Sequence, residues 1–288
     1  MSGAPSRKLV WLASFPKSGN TWLRLFLSNY ILNCKEPFPI NKIHMLTFSD
    51  MMAAPYEKLT GKALKDLKDH EIHGLRPRVH RAIASQAADV MLVKTHQAVM
   101  DLHNISTVTF DVTKASIYVM RNPLDVAVSY AHHCGLQPIE SLRLLNSSRH
   151  KTHGDKTTTV PQYMGRWSDH VLSWVDSKDL APLVLRYEDM KRNPQAEFTK
   201  VLVHLGLEPD DERLERAIRF SSFGELTAQE SKGNFIERSQ KAEKFFRSGR
   251  VGEGIECFSE AEVDQAIADH REVLERFGYL NKEGDLIL

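Results

Sequence analysis

Leu9-Val10-Trp11-Leu12-Ala13-Ser14-Phe15-Pro16-Lys17-Ser18-Gly19-Asn20-Thr21-Trp22 carries three signals in succession. Leu9 to Phe15 is an apolar run of strand length closed by Pro16, which predicts a strand buried on both faces. Lys17 to Asn20 is a polar turn, and Thr21 to Asn33 then places Trp22, Leu25, Phe26 and Tyr30 at helical spacing. Strand, loop and helix follow in order. Gly19 lets such a loop turn and approach a ligand closely, the first N–H groups of the helix are unpaired donors, and Lys17 adds a positive charge. The loop can therefore cradle an anion, although the Walker spacing is absent and Lys17 precedes the glycine. A surface turn with a solvated lysine is the alternative reading.

The pattern recurs with strand candidates at Val90 to Lys94, Ser116 to Met120 and Leu183 to Arg186. Between and after them lie helical stretches at Arg78 to Ala87, Pro123 to His133, Pro161 to Val175, Pro194 to Leu205 and Glu260 to Phe277. This alternation predicts an α/β fold, a central parallel sheet with helices on both faces. Asn146 to Thr159 and Gln229 to Gly254 are polar or glycine-rich and read as mobile binding loops. No internal repeat is present, and residues 1–288 are expected to form a single domain.

Composition narrows the function classes. Apolar residues make up 42% and charged residues 26% of the 288, proportions that exclude disorder and a small disulfide scaffold. The 38 basic and 37 acidic residues nearly cancel, so no global field draws the chain to nucleic acid, and any anion site is local. Cys34, Cys134 and Cys257 are odd in number and widely spaced, which predicts free thiols in a reducing cytoplasm. No apolar run reaches the roughly 20 residues of a membrane span. Arg7 and Lys8 before Leu9 to Phe15 imitate a signal peptide, but Pro16 and Lys17 end that run too early.

In open parallel sheets ligands bind beyond the carboxyl ends of the strands. There the sequence places Lys17 to Trp22, Lys94-Thr95-His96, Arg121-Asn122-Pro123 and Tyr187-Glu188-Asp189. Asn122 is placed to cap a helix beginning at Pro123, with Ser129 one turn beyond Asp125 on the same face. Arg121 is a second anion candidate, its bland alternative being an ion pair with a nearby carboxylate. Two separated anion sites suggest a ligand with phosphate at both ends.

These residues carry a family resemblance. Phe15 to Trp22 resembles the 5′-phosphosulfate loop of the cytosolic sulfotransferases, and Arg121 to Ser129 resembles their 3′-phosphate motif. The resemblance extends to Lys94-Thr95-His96, to Tyr187-Glu188-Asp189-Met190 and, more weakly, to Phe246-Arg247-Ser248-Gly249-Arg250-Val251-Gly252. It implies transfer of a sulfuryl group from 3′-phosphoadenosine 5′-phosphosulfate (PAPS) to an acceptor hydroxyl or amine on a P-loop-like sheet. His96 would be the general base, Lys17 would meet the charge on the leaving oxygen, and Lys94 would share it. Ser18, Gly19, Asn20, Thr21, Arg121 and Ser129 would bind phosphates and Trp22 would stack on adenine. Tyr187 and Ser221 would lie near the adenine, with Arg247, Ser248 and Gly249 closing over the 3′-phosphate.

Three departures stand out. Asn20 replaces a common threonine, Ser248 replaces a lysine that Arg250 is the candidate to substitute, and Gly254 replaces a tryptophan. The family's dimerisation pattern is not matched by Ile255 to Ser259, so the oligomeric state stays open. The sequence names no acceptor among small molecules, glycans, lipids and peptides. No metal is expected, because a transferred sulfuryl carries less charge than a phosphoryl dianion. The histidine pairs His70/His73, His132/His133 and His150/His153 lack a third ligand with a carboxylate; His132 and His133 are candidates to touch substrate instead. Two alternatives remain, a P-loop nucleoside phosphotransferase and a catalytically silent regulator that binds 3′-phosphoadenosine 5′-phosphate (PAP). The first lacks its Walker lysine, and the second would have lost Lys17 or His96.

Overall fold

The computed structural model describes residues 7–288. In chain order its regular elements begin with β1 (Leu9–Ser14), α1 (Asn20–Ile31), β2 (Thr47–Ser49), α2 (Ala54–Thr60), α3 (Asp69–Gln86) and β3 (Met91–Thr95). Then come β4 (Asp101–Leu102), β5 (Ile105–Ser106), β6 (Thr113–Met120), α4 (Pro123–Cys134), α5 (Pro138–Leu145), β7 (Lys151–Thr152), β8 (Gln162–Tyr163) and α6 (Trp167–Val175). The chain closes with β9 (Leu183–Arg186), α7 (Tyr187–Arg192), α8 (Pro194–His204), α9 (Asp211–Phe220), α10 (Phe223–Lys232), α11 (Glu253–Cys257) and α12 (Glu260–Arg276). Five strands form one sheet in the order β2-β3-β1-β6-β9. The expected α/β architecture with a central parallel sheet is present, and β1 pairs in parallel with β3, as β2 does.

The chain divides into two compact units, each assembled from separate stretches. The first comprises the segment up to Phe15, Leu46–Tyr118 and Ser148–Val184, and so holds most of the sheet. Every residue of β1 is buried, as a strand covered on both faces requires. The Trp11 indole N–H donates to Thr113 Oγ1 at 2.8 Å, which satisfies the polar atom that so large a buried ring brings with it. Trp167, Trp174, Arg76, Tyr56 and Tyr118 are among this unit's other largest buried side chains.

The second unit comprises Pro16–Met45, Val119–Ser147 and Leu185–Leu288. One of its apolar clusters gathers Leu25, Phe38, Ile40, Ile43, Leu226, Phe235 and Phe246. Phe26 of α1 stacks on Phe198 of α8 at 3.9 Å between centroids. Helix α4 starts as its sequence dictates: the Asn122 side chain accepts from Asp125 N–H at 2.9 Å, Pro123 occupies the first turn, and Gly135 ends the helix in the left-handed conformation.

Four boundaries differ from expectation. Helix α3 starts at Asp69, well before the expected Arg78, and Pro77 lies inside it. Helix α6 starts at Trp167, because Gln162–Tyr163 pair with Lys151–Thr152 as a short antiparallel hairpin. That hairpin takes part of the segment read as irregular from Asn146 to Thr159. Helix α10 runs on to Lys232 inside the second such segment, and α11 occupies its end.

Candidate functional site

The predicted site residues fall into two sets, one in each unit. In the second unit the chain enters the loop at Pro16. Lys17 and Gly19 both take the left-handed conformation, at φ 69° and 112°, and Gly19 precedes α1 with no side chain capping the helix. A Cβ on Gly19 would stand 2.8 Å from the Tyr187 ring, so glycine is required by packing as well as by conformation. Ser18 Oγ is fully buried with no hydrogen-bond partner. The Lys17 ammonium sits 3.7 Å from the centroid of the Phe245 ring.

Tyr187 brings three motifs together. Its ring lies edge-on to Trp22 at 5.8 Å and beneath the Arg121 guanidinium at 4.5 Å, and its hydroxyl donates to Gly249 C=O at 3.0 Å. Burial raises the Tyr187 phenol above its ordinary value, which keeps it a donor. Arg121 is buried. One amino group donates to Asp125 at 3.2 Å and to Arg250 C=O at 2.6 Å, while Nε has no partner. The ion pair weighed for this arginine therefore exists, and it leaves Nε without a protein partner.

Asp125 also accepts from Gly252 N–H at 3.0 Å and Gly254 N–H at 2.8 Å, tying the late loop to the start of α4. A Cβ on Gly254 would meet the Leu124 carbonyl carbon at 2.5 Å. The residue that departs from the family's tryptophan is thus one that no side chain could occupy in this backbone. Gly249, at φ 61°, likewise lies against the Phe223 ring. Glu230 accepts from the N–H groups of Phe245 and Phe246 at 2.7 and 2.9 Å, and Glu237 holds buried Arg24 through two bonds. The late loop is irregular yet anchored at each of these points.

The remaining predicted residues of this unit are placed less centrally. Ser129 is one turn along α4 from Asp125. The Ser221 hydroxyl donates to Ala217 C=O at 2.8 Å, beside the α10 cap. Arg247 pairs with Glu253 and exposed Arg250 with Glu256, while Ser248 Oγ accepts from Arg250 N–H at 3.2 Å. Asn20 and Thr21 form the buried first turn of α1. His133 lies edge-on to Phe245 at 6.1 Å.

In the first unit, Lys94 lies at the end of β3 and His96 just after it. His96 Nδ1 is 2.8 Å from Ser14 C=O and 3.2 Å from Ser14 Oγ. A carbonyl only accepts, so Nδ1 carries the proton and the lone pair is on Nε2. The residues after β3 are gripped by α6 at helical spacing. His170 Nε2 donates to His96 C=O at 3.1 Å, Ser173 Oγ accepts from Val99 N–H at 3.0 Å, and Trp174 Nε1 donates to Gln97 C=O at 2.8 Å. Burial holds His170 neutral, pushed down to about 3. Thr95 and Gln162 donate to buried Asp50, each at 2.9 Å. Burial raises the Asp50 carboxyl against the opposing pull of Arg76, Thr95, Gln162 and Lys94.

Three residues that hold the candidate site's loops were not singled out from sequence, namely Asp125 as the late loop's anchor and the α6 pair His170 and Trp174. The signal for the last two was present as a histidine and tryptophans on one face of a predicted amphipathic helix. Among the described residues no group of His, Cys, Asp and Glu is arranged to hold a metal ion, and no helix is long and apolar enough to cross a membrane.

Comparison with known proteins identifies the family. The family model described as "Sulfotransferase domain" matches residues 7–278, and the chain belongs to that family of enzymes. Mouse Sulfotransferase 1E1 is 29% identical over 260 residues, covering 87% of this chain and 78% of its own. Mouse Sulfotransferase 1B1 is 26% identical over 269 residues, covering 89% and 79%. Among solved structures, mouse sulfotransferase SULT7A1 complexed with PAP superposes with a TM-score of 0.60 at 21% identity over 95% of this chain and 86% of that one. Retinol dehydratase in complex with androsterone and PAP gives 0.63 at 18% identity over 93% and 81%.

Proposed function

We propose that the protein is a PAPS-dependent sulfotransferase acting on a hydroxyl or amine, with His96 as general base and residues 1–288 as one catalytic domain. The observation that carries the reading is the convergence on Tyr187 of the Lys17–Trp22 loop, Arg121 and Gly249. The cradle suits a ligand bearing two phosphates, because Ser18 Oγ and Arg121 Nε are buried donors without protein partners and α1 begins uncapped. Ser18, Gly19, Asn20 and Thr21 would hold one anionic end. Arg121, Ser129, Arg247, Ser248 and Gly249 would hold the other, with Trp22, Tyr187 and Ser221 about the base.

When bound, PAPS supplies a sulfuryl group on a phosphate leaving group. This chain's part is to position and to balance charge. His96 Nε2 would take the acceptor's proton, and the Ser14 carbonyl, already accepting from Nδ1–H, stabilises the imidazolium that results. Lys17 and Lys94 would meet the developing negative charge. No metal is required by this reading. A small-molecule acceptor is favoured by analogy with the androsterone and retinol complexes of retinol dehydratase. The free thiols Cys34, Cys134 and Cys257 suit a reducing cytoplasm.

Thermal unfolding with PAP and EDTA, joined to a screen of acceptors with labelled donor sulfate, tests the reading. At 100 times its Kd a ligand stabilises by about 2.7 kcal/mol, which raises the Tm of a chain this long by roughly 5–10 °C. We expect that shift with PAP, far less with AMP, and almost none for PAP with Arg121→Ala. Equal stabilisation by AMP, or by ATP with magnesium, would favour a nucleotide phosphotransferase instead.

A further inference from the structure

The base is embedded in a circuit of hydrogen bonds that runs through two residues outside the family motifs. His96 Nδ1–H donates to Ser14 C=O at 2.8 Å. The N–H of that same peptide, Phe15 N–H, donates to the Tyr118 hydroxyl. Tyr118 O–H donates to His170 Nδ1 at 2.7 Å, and His170 Nε2–H donates to His96 C=O at 3.1 Å. Each donor points the same way around the ring. The direction is forced at both carbonyls, which cannot donate, and it fixes the tautomers of both histidines.

We propose that Tyr118 and His170 are positioning residues for His96, and that by closing this circuit they hold its proton on Nδ1 and its lone pair on Nε2. The inference rests on the reading of His96 as general base. Bonds aligned head to tail polarise one another, so breaking one weakens the rest. The Ser14–Phe15 peptide, gripped at both its oxygen and its nitrogen, is the fixed point from which the imidazole plane is set. Burial supports the arrangement. His170 and Tyr118 are both fully inaccessible, with the Phe15 ring edge-on to His170 at 5.3 Å, so water cannot replace a missing partner. Burial also keeps His170 neutral, which its acceptor role at Nδ1 requires.

The test uses the full chain labelled with 15N at its thirteen histidines, His96 being assigned by the signals lost in His96→Gln. Wild type should show His96 protonated at Nδ1 alone. In Tyr118→Phe that state should give way to a mixture of tautomers, with kcat falling about tenfold, the worth of one hydrogen bond, and acceptor KM changing less than twofold. His170→Gln, which retains an N–H donor for the His96 carbonyl, should lose less activity than His170→Leu. A folded Tyr118→Phe with wild-type kcat and an unchanged His96 tautomer overturns the proposal, as does a wild-type spectrum with the proton on Nε2. Near-normal turnover by His96→Gln would instead overturn the general-base reading, and the spectra report on the circuit independently of it.

Discussion

Arg121 at the β6 terminus and His96 after β3 are both fixed by backbone carbonyls, Arg121 by that of Arg250 and His96 by that of Ser14. What surrounds them differs. In the second unit several buried or half-buried arginines are paired with carboxylates, as in Arg121–Asp125, Arg24–Glu237 and Arg247–Glu253. The first unit holds one deeply buried pair of this kind, Arg76–Asp50, and otherwise relies heavily on uncharged histidines. His80 accepts or donates at Thr109 at 2.8 Å, His170 bridges Tyr118 and His96, and His150 packs on Phe15. Permanent charge suits the half that would bind anions, whereas a neutral imidazole suits the half that would move a proton.

The largest effect that exposes this contrast is acid. Burial pushes His150 down to about 4, and His80 and His170 to about 3, from an ordinary 6.5. The unfolded chain therefore takes up protons first as pH falls, so this stability is complete above pH 6.5 and drains away towards pH 4 and below. Each histidine contributes up to ~1.4 kcal/mol per pH unit in that window. Asp50, raised by burial, works in the opposite sense. Glu253, lowered chiefly by its bond from Arg247, gives up its share only as pH falls below its ordinary 4.5. Urea unfolding from pH 7.5 to 4.5 should show a steep loss that His150→Leu flattens by about one proton. A slope unchanged in that variant would show that His150 does not titrate as its burial requires.

Next in size is turnover. Lys17→Ala and His96→Ala should each lower kcat at least about a hundredfold. They should part company in binding, since His96→Ala retains the stabilisation by PAP and Lys17→Ala loses much of it. Identical nucleotide responses would erase the proposed division of labour between the units.

The smallest effect concerns two glycines of the second unit. Gly254→Ala forces a methyl against the backbone of Leu124 and Asp125 and should cost about 1–3 kcal/mol, seen as a lower Tm. Gly224→Ala, with nothing within 4 Å of the new Cβ on α10, should be neutral or slightly stabilising. Equal Tm values for the two variants would mean that the late loop yields freely where Asp125 anchors it.

The legible parts of the fold were those whose cause is local. An apolar run bounded by Pro16 makes β1, and Asn122 before Pro123 starts α4, whatever lies elsewhere in the chain. Strand β2 was missed because Thr47–Ser49 is too short to show a period, and α9 because it buries only Leu214 and Ala217 beneath a largely charged surface. At the candidate site, residue types at strand ends pointed to Lys17, His96 and Arg121. Nothing local shows that the Asp125 carboxylate reaches two amides more than a hundred positions away, or that His170 meets a carbonyl of the β3 loop. Such pairings are products of the tertiary fold.

The threading of the chain through its two units also sets an order of manufacture. All three stretches of the histidine-bearing unit precede Leu185, so a ribosome has delivered that unit whole while α7 to α12 are still unmade. At about 5–20 residues per second the interval lasts on the order of ten seconds. Tyr187, which gathers the Lys17 loop and Arg121, and Gly249, which accepts its hydroxyl, arrive only within it. The newborn protein thus possesses all the residues proposed for its proton acceptor before the last of those that would grip its nucleotide, and the donor cradle is the last part to be finished.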